Sequence, residues 1–220
     1  MKRSTVLLAD DHAIVVEGLR RVLETNYDVV GVAGNGRALL TAAEQLQPDV
    51  IVADISMPLL NGIEAVRQIR KADQKVKIVF LSMHPDVVYV TEALQAGGSA
   101  YVLKSSAGIE ILTAVRHALQ GKTYVSPSID RAALEAQIKR DRRAHHPSDS
   151  LSQRQREVLQ LAAEGRSTKE IAEMLQVSPR TVEFHRYRLM ETLGLHTTAE
   201  LVQYAIKHHI MSSLPGNMPT

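Results

Sequence analysis

Four short apolar runs each stop at a polar residue, and what those residues are constrains the fold more than any other feature of the chain. Val6-Leu7-Leu8-Ala9 ends in Asp10-Asp11, Val50-Ile51-Val52-Ala53 in Asp54, Ile78-Val79-Phe80-Leu81 in Ser82, and Ala100-Tyr101-Val102-Leu103 in Lys104. Apolar runs without alternation are those of strands buried on both faces, as in a parallel sheet covered by helices. As parallel strands of one sheet, all four bring their terminating residues to the same carboxyl edge. Three carboxylates, a hydroxyl and an ammonium converging there suit a divalent cation and a phosphoryl group.

The spacing between the runs supports that topology. Strand-like segments near 5–9, 28–33, 50–54, 77–82 and 100–103 alternate with helical patterns near 12–24, 36–46, 61–72, 87–96 and 106–120. A fivefold βα alternation with right-handed crossovers predicts a doubly wound α/β domain around a five-stranded parallel sheet. Ligands in such sheets bind beyond the carboxyl ends of the strands, near the point where strand order reverses.

At 220 residues and 45% apolar composition, the chain can build a core in each of two small domains. It has no cysteine, which excludes a disulfide framework, a thiolate metal site and a cysteine nucleophile. The apolar run after Thr5 is too short for a signal peptide, and no run approaches the roughly 18 apolar residues of a membrane span. A cytoplasmic protein with no membrane association is expected. Residues 1–121 carry 12 Lys+Arg against 13 Asp+Glu, residues 122–149 carry 6 against 4, and residues 150–220 carry 8 against 7. So even a balance does not announce a nucleic-acid binder, and any such function must rest on where the charges sit.

Residues 1–121 read as one domain and 122–149 as an interdomain linker. Within the linker, Arg131 to Ile138 offers one helical stretch through Leu134 and Ile138, whereas Lys139 to Ser150 is polar, contains Pro147 and lacks an apolar stripe. Residues 150–211 read as a small all-α unit of four helices and 212–220 as a flexible tail. Ser152-x-x-Gln155, Ser167-x-x-Glu170 and Thr197-x-x-Glu200 fit capping boxes. Ser178-Pro179 offers an N-cap followed by proline at the first helical position. Gly165 and Gly194 sit where the first and third helices end, while Gln176 occupies a turn that glycine would fill more easily.

The segment Asp54-Ile55-Ser56-Met57-Pro58-Leu59-Leu60-Asn61-Gly62 resembles the D-x-x-M-P-x-x-[DN]-G signature of response-regulator receiver domains, which are flavodoxin-like in fold. The Asp10-Asp11 pair, Leu81-Ser82-Met83-His84 and Tyr101-Val102-Leu103-Lys104 complete the pattern across residues 5–121. The resemblance implies that Asp54 is phosphorylated. It implies that Mg²⁺ is held by Asp10, Asp11, the Asp54 carboxylate and the backbone carbonyl of Ser56. Lys104 then pairs with the phosphoryl group, and Ser82 and Tyr101 form a switch pair that moves inward after phosphorylation. Taken singly, an aspartate pair at a strand end is more often a helix cap and a lysine there a solvated charge. Their conjunction at successive strand ends outweighs those readings, and a buried aspartate needs partners in any case.

In the C-terminal unit, Val182, His185, Leu189 and Leu193 share one face of the third helix and are placed to pack on Ile171, Leu175, Val158 and Leu159. The opposite face carries Arg180, Thr181, Glu183, Phe184, Tyr187 and Arg188, groups able to address base edges and phosphates. Thr168 and Lys169 open the second helix, where backbone N–H groups and a cation suit a phosphate. The stretches Leu151 to Leu159, Lys169-Glu170-Ile171-Ala172 and Ser178 to His185 resemble the LuxR-type helix-turn-helix, with the motif itself near 168–187. Joined to a receiver, this resembles the NarL/FixJ class of two-component response regulators. The class implies recognition by the third helix and dimerisation through the fourth, here Leu201, Val202, Tyr204 and Ala205. Glu191 stands where basic residues are common and should weaken phosphate affinity.

The resemblance therefore implies a transcription regulator that binds double-stranded DNA as a homodimer. A sensor histidine kinase and RNA polymerase are its further partners. Its only catalysis would be phosphotransfer onto Asp54 and hydrolysis from it. The alternative is a dimeric DNA-binding regulator that works independently of phosphorylation.

Overall fold

The computed structural model describes residues 3–141, 151–208 and 210–211. The chain divides into two compact units, residues 1–142 and 143–220. The first opens with β1 (Thr5–Ala9), α1 (Ala13–Leu23), β2 (Asp28–Ala33), α2 (Gly36–Leu46), β3 (Val50–Asp54) and α3 (Gly62–Ala72). It continues with β4 (Lys77–Ser82), α4 (Val87–Gln95), β5 (Ala100–Leu103) and α5 (Ala107–Leu119). The strands fall where the apolar runs put them. All pair in parallel in the order β2-β1-β3-β4-β5, so the chain steps outward from β1 to β2 and then back across to β3. Strand order reverses between β1 and β3, and Asp10, Asp11 and Asp54 lie at that crevice.

Each strand feeds two cores. Leu7, Ala9, Ile51, Ala53, Ile78 and Phe80 pack on one side with Leu39, Ile63, Val66 and Val90 from α2, α3 and α4. Val6, Leu8, Val50, Val52, Val79 and Leu81 pack on the other with Leu19, Leu23, Ile111 and Val115 from α1 and α5. Period-two alternation between two apolar layers is the reason these strands carry no polar face.

The sheet has six strands rather than the expected five. β6 (Tyr124–Val125) adds to β5 in parallel. Two residues carry no periodicity; the Tyr124 and Ser126 N–H groups donate to the Ser99 and Tyr101 carbonyls at 3.2 and 2.9 Å, and side chains reinforce the strand. The buried Ser126 Oγ accepts from the Leu103 N–H at 2.9 Å and donates to Glu110 of α5. The Tyr124 hydroxyl donates to the same carboxylate at 3.1 Å, and burial together with that carboxylate pushes the phenol up to about 12. Beyond β6, α6 (Arg131–Asp141) packs on α4. Ile129 and Leu134 are buried in the core that contains Tyr89, Val90 and Ala93 of α4, with Ile138 against them. The expected linker over 122–149 is thus corrected: up to residue 141 it is part of the first unit, because its few apolar residues close over α4. Residues 142–150 and the expected tail at 212–220 lie outside the described residues.

The second unit consists of α7 (Gln153–Ala163), α8 (Thr168–Leu175), α9 (Pro179–Leu193) and α10 (Thr198–Lys207). Ser152, Ser167 and Thr197 each form both halves of a capping box, and Ser178 accepts from the Thr181 N–H ahead of α9. Gly194 ends α9 at φ +65°, a left-handed conformation that suits glycine, whereas Gln176 adopts φ +53° between α8 and α9 at some cost. Val158, Leu159, Ile171, Leu175, Val182, Leu189, Leu201 and Ala205 are all buried. Among the described residues, no helix is long and apolar enough to cross a membrane.

The closure by α6 has a measurable consequence. Leu134→Ala removes a buried side chain from the α4 face and is expected to cost the first unit about 2 kcal/mol. Urea unfolding should show a lower midpoint for that unit and an unchanged transition for the second.

Candidate phosphoacceptor site and nucleic-acid interface

Asp10 follows β1, Asp54 ends β3 and Lys104 follows β5. The sheet brings them into direct contact. Asp10 is 4% exposed and Asp54 2%, and the Lys104 ammonium lies 2.7 Å from Asp10 Oδ2 and 3.0 Å from Asp54 Oδ2. Asp11 stands on the exposed rim. Asp10, Asp11, His12 and Asp54 each offer an atom within 4.8 Å of the others. One ammonium against three carboxylates leaves the pocket with excess negative charge. Closely spaced hard oxygens with uncompensated charge fit Mg²⁺.

The electrostatics follow from this crowding. Burial holds the Asp54 carboxyl above the usual carboxylate range; Lys104 opposes the shift, Asp10 reinforces it, and the Ser56 N–H opposes it further. Burial pulls Lys104 down, but Asp54 and Asp10 outweigh it and hold the ammonium above its usual value. Lys104 is therefore a fixed cation, whereas Asp54 is a carboxylate under strain.

The loop after β3 is shaped by close backbone approach. The Gly62 N–H donates to the Ile55 carbonyl at 2.8 Å, and a Cβ at Gly62 would sit 2.1 Å from the carbonyl oxygen of Asp54. A Cβ at Gly36 would sit 2.0 Å from the carbonyl oxygen of Leu60. Glycine is required at both points because α2 and α3 start against the backbone that carries Asp54. Asn61 caps α3 by accepting from the Glu64 N–H at 2.8 Å.

Ser82 ends β4 opposite Leu103, and Tyr101 lies two positions earlier on β5, in register with Phe80. The buried Ser82 Oγ accepts from the His84 N–H at 3.0 Å, and the Tyr101 hydroxyl donates to the His84 carbonyl at 2.7 Å. Burial pushes the Tyr101 phenol up, with the Ser82 hydroxyl opposing. The Tyr101 ring is fully buried here and occupies the inward position. His84, which sequence reasoning left without a role, links the pair to α4 by stacking on Tyr89 with centroids 4.7 Å apart. His12 was also missed. Its Nδ1 lies 3.0 Å from Asp10 Oδ1 and 2.9 Å from Asp11 Oδ1. Its position directly after the aspartate pair was the available signal.

In the second unit, Arg180, Glu183, Phe184, Tyr187 and Arg188 are exposed on α9, and Thr181 is half-buried beside Ser178. Phe184 is 59% and Tyr187 66% exposed, an apolar display that the unit's own core does not explain. Lys169 is exposed and Thr168 half-buried at the start of α8. Arg188 pairs with Glu191 at 3.1 Å, so one candidate DNA contact is partly neutralised within its own helix. Burial lowers the His185 imidazole and Arg154 adds to the shift, consistent with a packing role. The proposed dimer set is corrected in part. Leu201 and Ala205 are fully buried and α10 packs on α7, leaving only the half-buried Val202 and Tyr204 of the four available to a second copy. Periodicity in α10 shows an apolar stripe but not whether it faces a partner or its own core.

The strain at Asp54 can be measured. A raised carboxyl pKa contributes stability that is present at low pH and lost as pH rises through the folded value. Without divalent cations, Asp54→Asn should therefore melt higher than wild type at pH 7, by about 1 kcal/mol or more. The gap should close as the pH falls toward the ordinary carboxylate range, and excess Mg²⁺ should stabilise only the wild type to a marked degree.

Comparison with known proteins agrees with the geometry. Residues 6–116 match the response regulator receiver domain family, and residues 149–205 match the luxR family of bacterial regulatory proteins. The transcriptional regulatory protein MctR of Rhizobium johnstonii is 38% identical over 211 residues, 95% of this chain and 96% of that protein. The response regulator UvrY of Escherichia coli is 34% identical over 210 residues, 94% of this chain and 96% of that one. Among solved structures, the RcsB response regulator of Salmonella typhimurium superposes with TM-score 0.63 at 27% identity, covering 94% of this chain and 99% of its own. RcsB bound to the promoter P1flhDC in the presence of the phosphomimetic BeF₃⁻ gives TM-score 0.60 at 26% identity, covering 92% and 98%. The chain belongs to the two-component response regulators, with a receiver domain followed by a LuxR-type helix-turn-helix DNA-binding domain.

Proposed function

We propose that a sensor histidine kinase phosphorylates Asp54 and that this controls DNA binding by α9 and hence transcription. The observation that carries the reading is the buried Asp54, crowded by Asp10 and paired with Lys104 at the sheet's switch point. When bound by the Asp10, Asp11 and Asp54 carboxylates and the Ser56 carbonyl, Mg²⁺ supplies the neutralisation that lets an anionic donor approach a carboxylate. An Asp54 oxygen attacks phosphorus as the bond from phosphorus to the donor's leaving atom breaks, and Lys104 stabilises a phosphoryl oxygen. The same residues permit water to hydrolyse the product, so the catalysis is confined to the protein's own aspartate.

Transmission follows the contacts around His84. When Ser82 turns its hydroxyl toward the phosphoryl group, the His84 N–H loses its acceptor, and the loop held by Tyr101 and Tyr89 adjusts. Because α6 closes over α4, it relays the change toward the DNA-binding domain. RcsB, solved on a promoter with a phosphomimetic, supports coupling of the two events.

On DNA, α9 enters the major groove with Arg180, Thr181, Glu183, Phe184, Tyr187 and Arg188, and Thr168 and Lys169 meet the phosphate backbone. Two copies bind as a homodimer, contacting through Val202 and Tyr204, and the complex acts on RNA polymerase. These partners place the protein in the cytoplasm.

With a phosphodonor, operator affinity of the wild type should rise at least tenfold in an electrophoretic or anisotropy titration, and Asp54→Asn should not respond. Equal responses would reject phosphorylation control. For the DNA face, Lys169→Ala should reduce the slope of log affinity against log salt by about 1. Glu191→Ala should raise nonspecific affinity about threefold at low salt, because it frees Arg188 and removes a charge facing phosphate.

A further inference from the structure

We propose that Ser126 is a positioning residue for phosphotransfer to Asp54, its buried hydroxyl fixing the backbone that carries the Lys104 ammonium. The inference rests on the phosphoacceptor reading of Asp54 and adds to it a residue from the segment that leads into α6.

Hydrogen bonds from two successive N–H groups hold the end of β5. The Lys104 N–H donates to the Ser82 carbonyl at 2.8 Å, and the Leu103 N–H donates to the Ser126 hydroxyl at 2.9 Å. One acceptor belongs to β4 and the other follows β6, so the chain is held from both sides where the lysine leaves the sheet. The second bond departs from its ladder. Between β5 and β6, the Tyr124 and Ser126 N–H groups donate to the Ser99 and Tyr101 carbonyls. Carried one step on, that parallel alternation would give the Leu103 N–H the Ser126 carbonyl. This carbonyl instead accepts from the Ile129 N–H at 3.0 Å and closes the turn toward α6. The side chain takes the acceptor's place. Ser126 therefore ties the lysine's backbone, through its hydroxyl, to the turn before α6, through its carbonyl.

The plainer roles for this serine are a helix cap and an incidental buried hydroxyl. The α6 cap is Asp130, which accepts from the Ala133 N–H at 3.0 Å. Ser126 is 1% exposed, and its hydroxyl is used in both directions. Its proton goes to Glu110 of α5, which the Tyr124 hydroxyl also bonds, and a lone pair is thereby left for the Leu103 N–H. Without the hydroxyl that buried N–H has no acceptor, and the end of β5 must shift to find one. The Lys104 ammonium sits 2.7 and 3.0 Å from two carboxylate oxygens, so a shift of its backbone changes its reach to a phosphoryl oxygen. Misplacement by about 1 Å can cost about a hundredfold in rate.

The test compares Ser126→Thr with Ser126→Val in the full chain, since these side chains match in shape and differ in the hydroxyl. Acetyl phosphate and Mg²⁺ are added, and intact-mass spectrometry follows phosphate on Asp54. The maximal rate of Ser126→Thr should stay within about threefold of wild type, and that of Ser126→Val should be about tenfold below Ser126→Thr. The donor concentration at half-maximal rate should agree within about twofold in both, because the lysine acts on the phosphoryl group in transfer. Without metal or donor, the Lys104 ¹⁵Nζ resonance should move in Ser126→Val and keep its wild-type position in Ser126→Thr. Equal maximal rates in the two variants, or a Lys104 resonance unmoved in Ser126→Val, overturns the assignment while leaving Asp54 as the acceptor. A wild type that takes up no phosphate on Asp54 overturns both readings together.

Discussion

Lys104 places one ammonium between two buried carboxylates, and the rest of the first unit serves to keep that arrangement together. Away from water, the repulsion between Asp10 and Asp54 is poorly screened, and a single cation cannot cancel it. The restraint comes from the two apolar layers on either face of the sheet, which fix the ends of β1, β3 and β5 relative to one another. The excess charge is a liability for stability and an asset for binding. A pocket satisfied by its own lysine would have no affinity left for a cation and no reactive carboxylate for a phosphoryl group. The same electrostatic deficit thus connects the raised Asp54 carboxyl, the close spacing of the acidic oxygens and the proposed chemistry.

The path outward from this pocket is short and consists of direct contacts. Ser82 bonds the backbone of His84, Tyr101 bonds the same residue from the next strand, and the His84 ring lies on Tyr89 of α4. Tyr89 belongs to the core that Ile129 and Leu134 complete from beyond β5. On the proposed reading, a change at the Ser82 hydroxyl passes to α6 through these packed neighbours. Such packed networks tend to switch between discrete arrangements because their interiors resist continuous deformation.

Much of this was legible in the sequence because strand burial and site chemistry are written in adjacent residues. Val50 to Ala53 announces a strand and Asp54 announces what the strand delivers, and the same holds for Leu81 and Ser82 or Leu103 and Lys104. The caps at Ser152, Ser167 and Thr197 were equally readable, since each is a local motif satisfied within four residues. What escaped depends on contacts distant in sequence. β6 is two residues long and is held by backbone bonds to Ser99 and Tyr101 and by Ser126 and Tyr124 on Glu110. α6 shows almost no amphipathic pattern, and only the exposed face of α4 makes sense of Leu134. Leu201 and Ala205 look the same in sequence whether their stripe meets α7 or a second copy of the chain.

The near-neutral charge of the C-terminal unit sets how it can work on DNA. Affinity that rests on phosphate neutralisation scales with the number of cations presented, and α9 carries Arg180, Arg186 and Arg188 alongside Glu183 and Glu191, with Arg186 donating to Thr198. With Arg188 paired to Glu191, the proposed reading expects a small nonspecific component of binding. On the proposed reading, more of the binding energy then comes from groups that meet base edges, above all the exposed Phe184 and Tyr187 and the arginines once desolvated. A weak background affinity makes pairing of two domains decisive, because joining two modest half-site interactions multiplies their effect. Control by phosphorylation then needs no change in the reading surface of α9. It is enough for the receiver to alter how often two such surfaces are presented together.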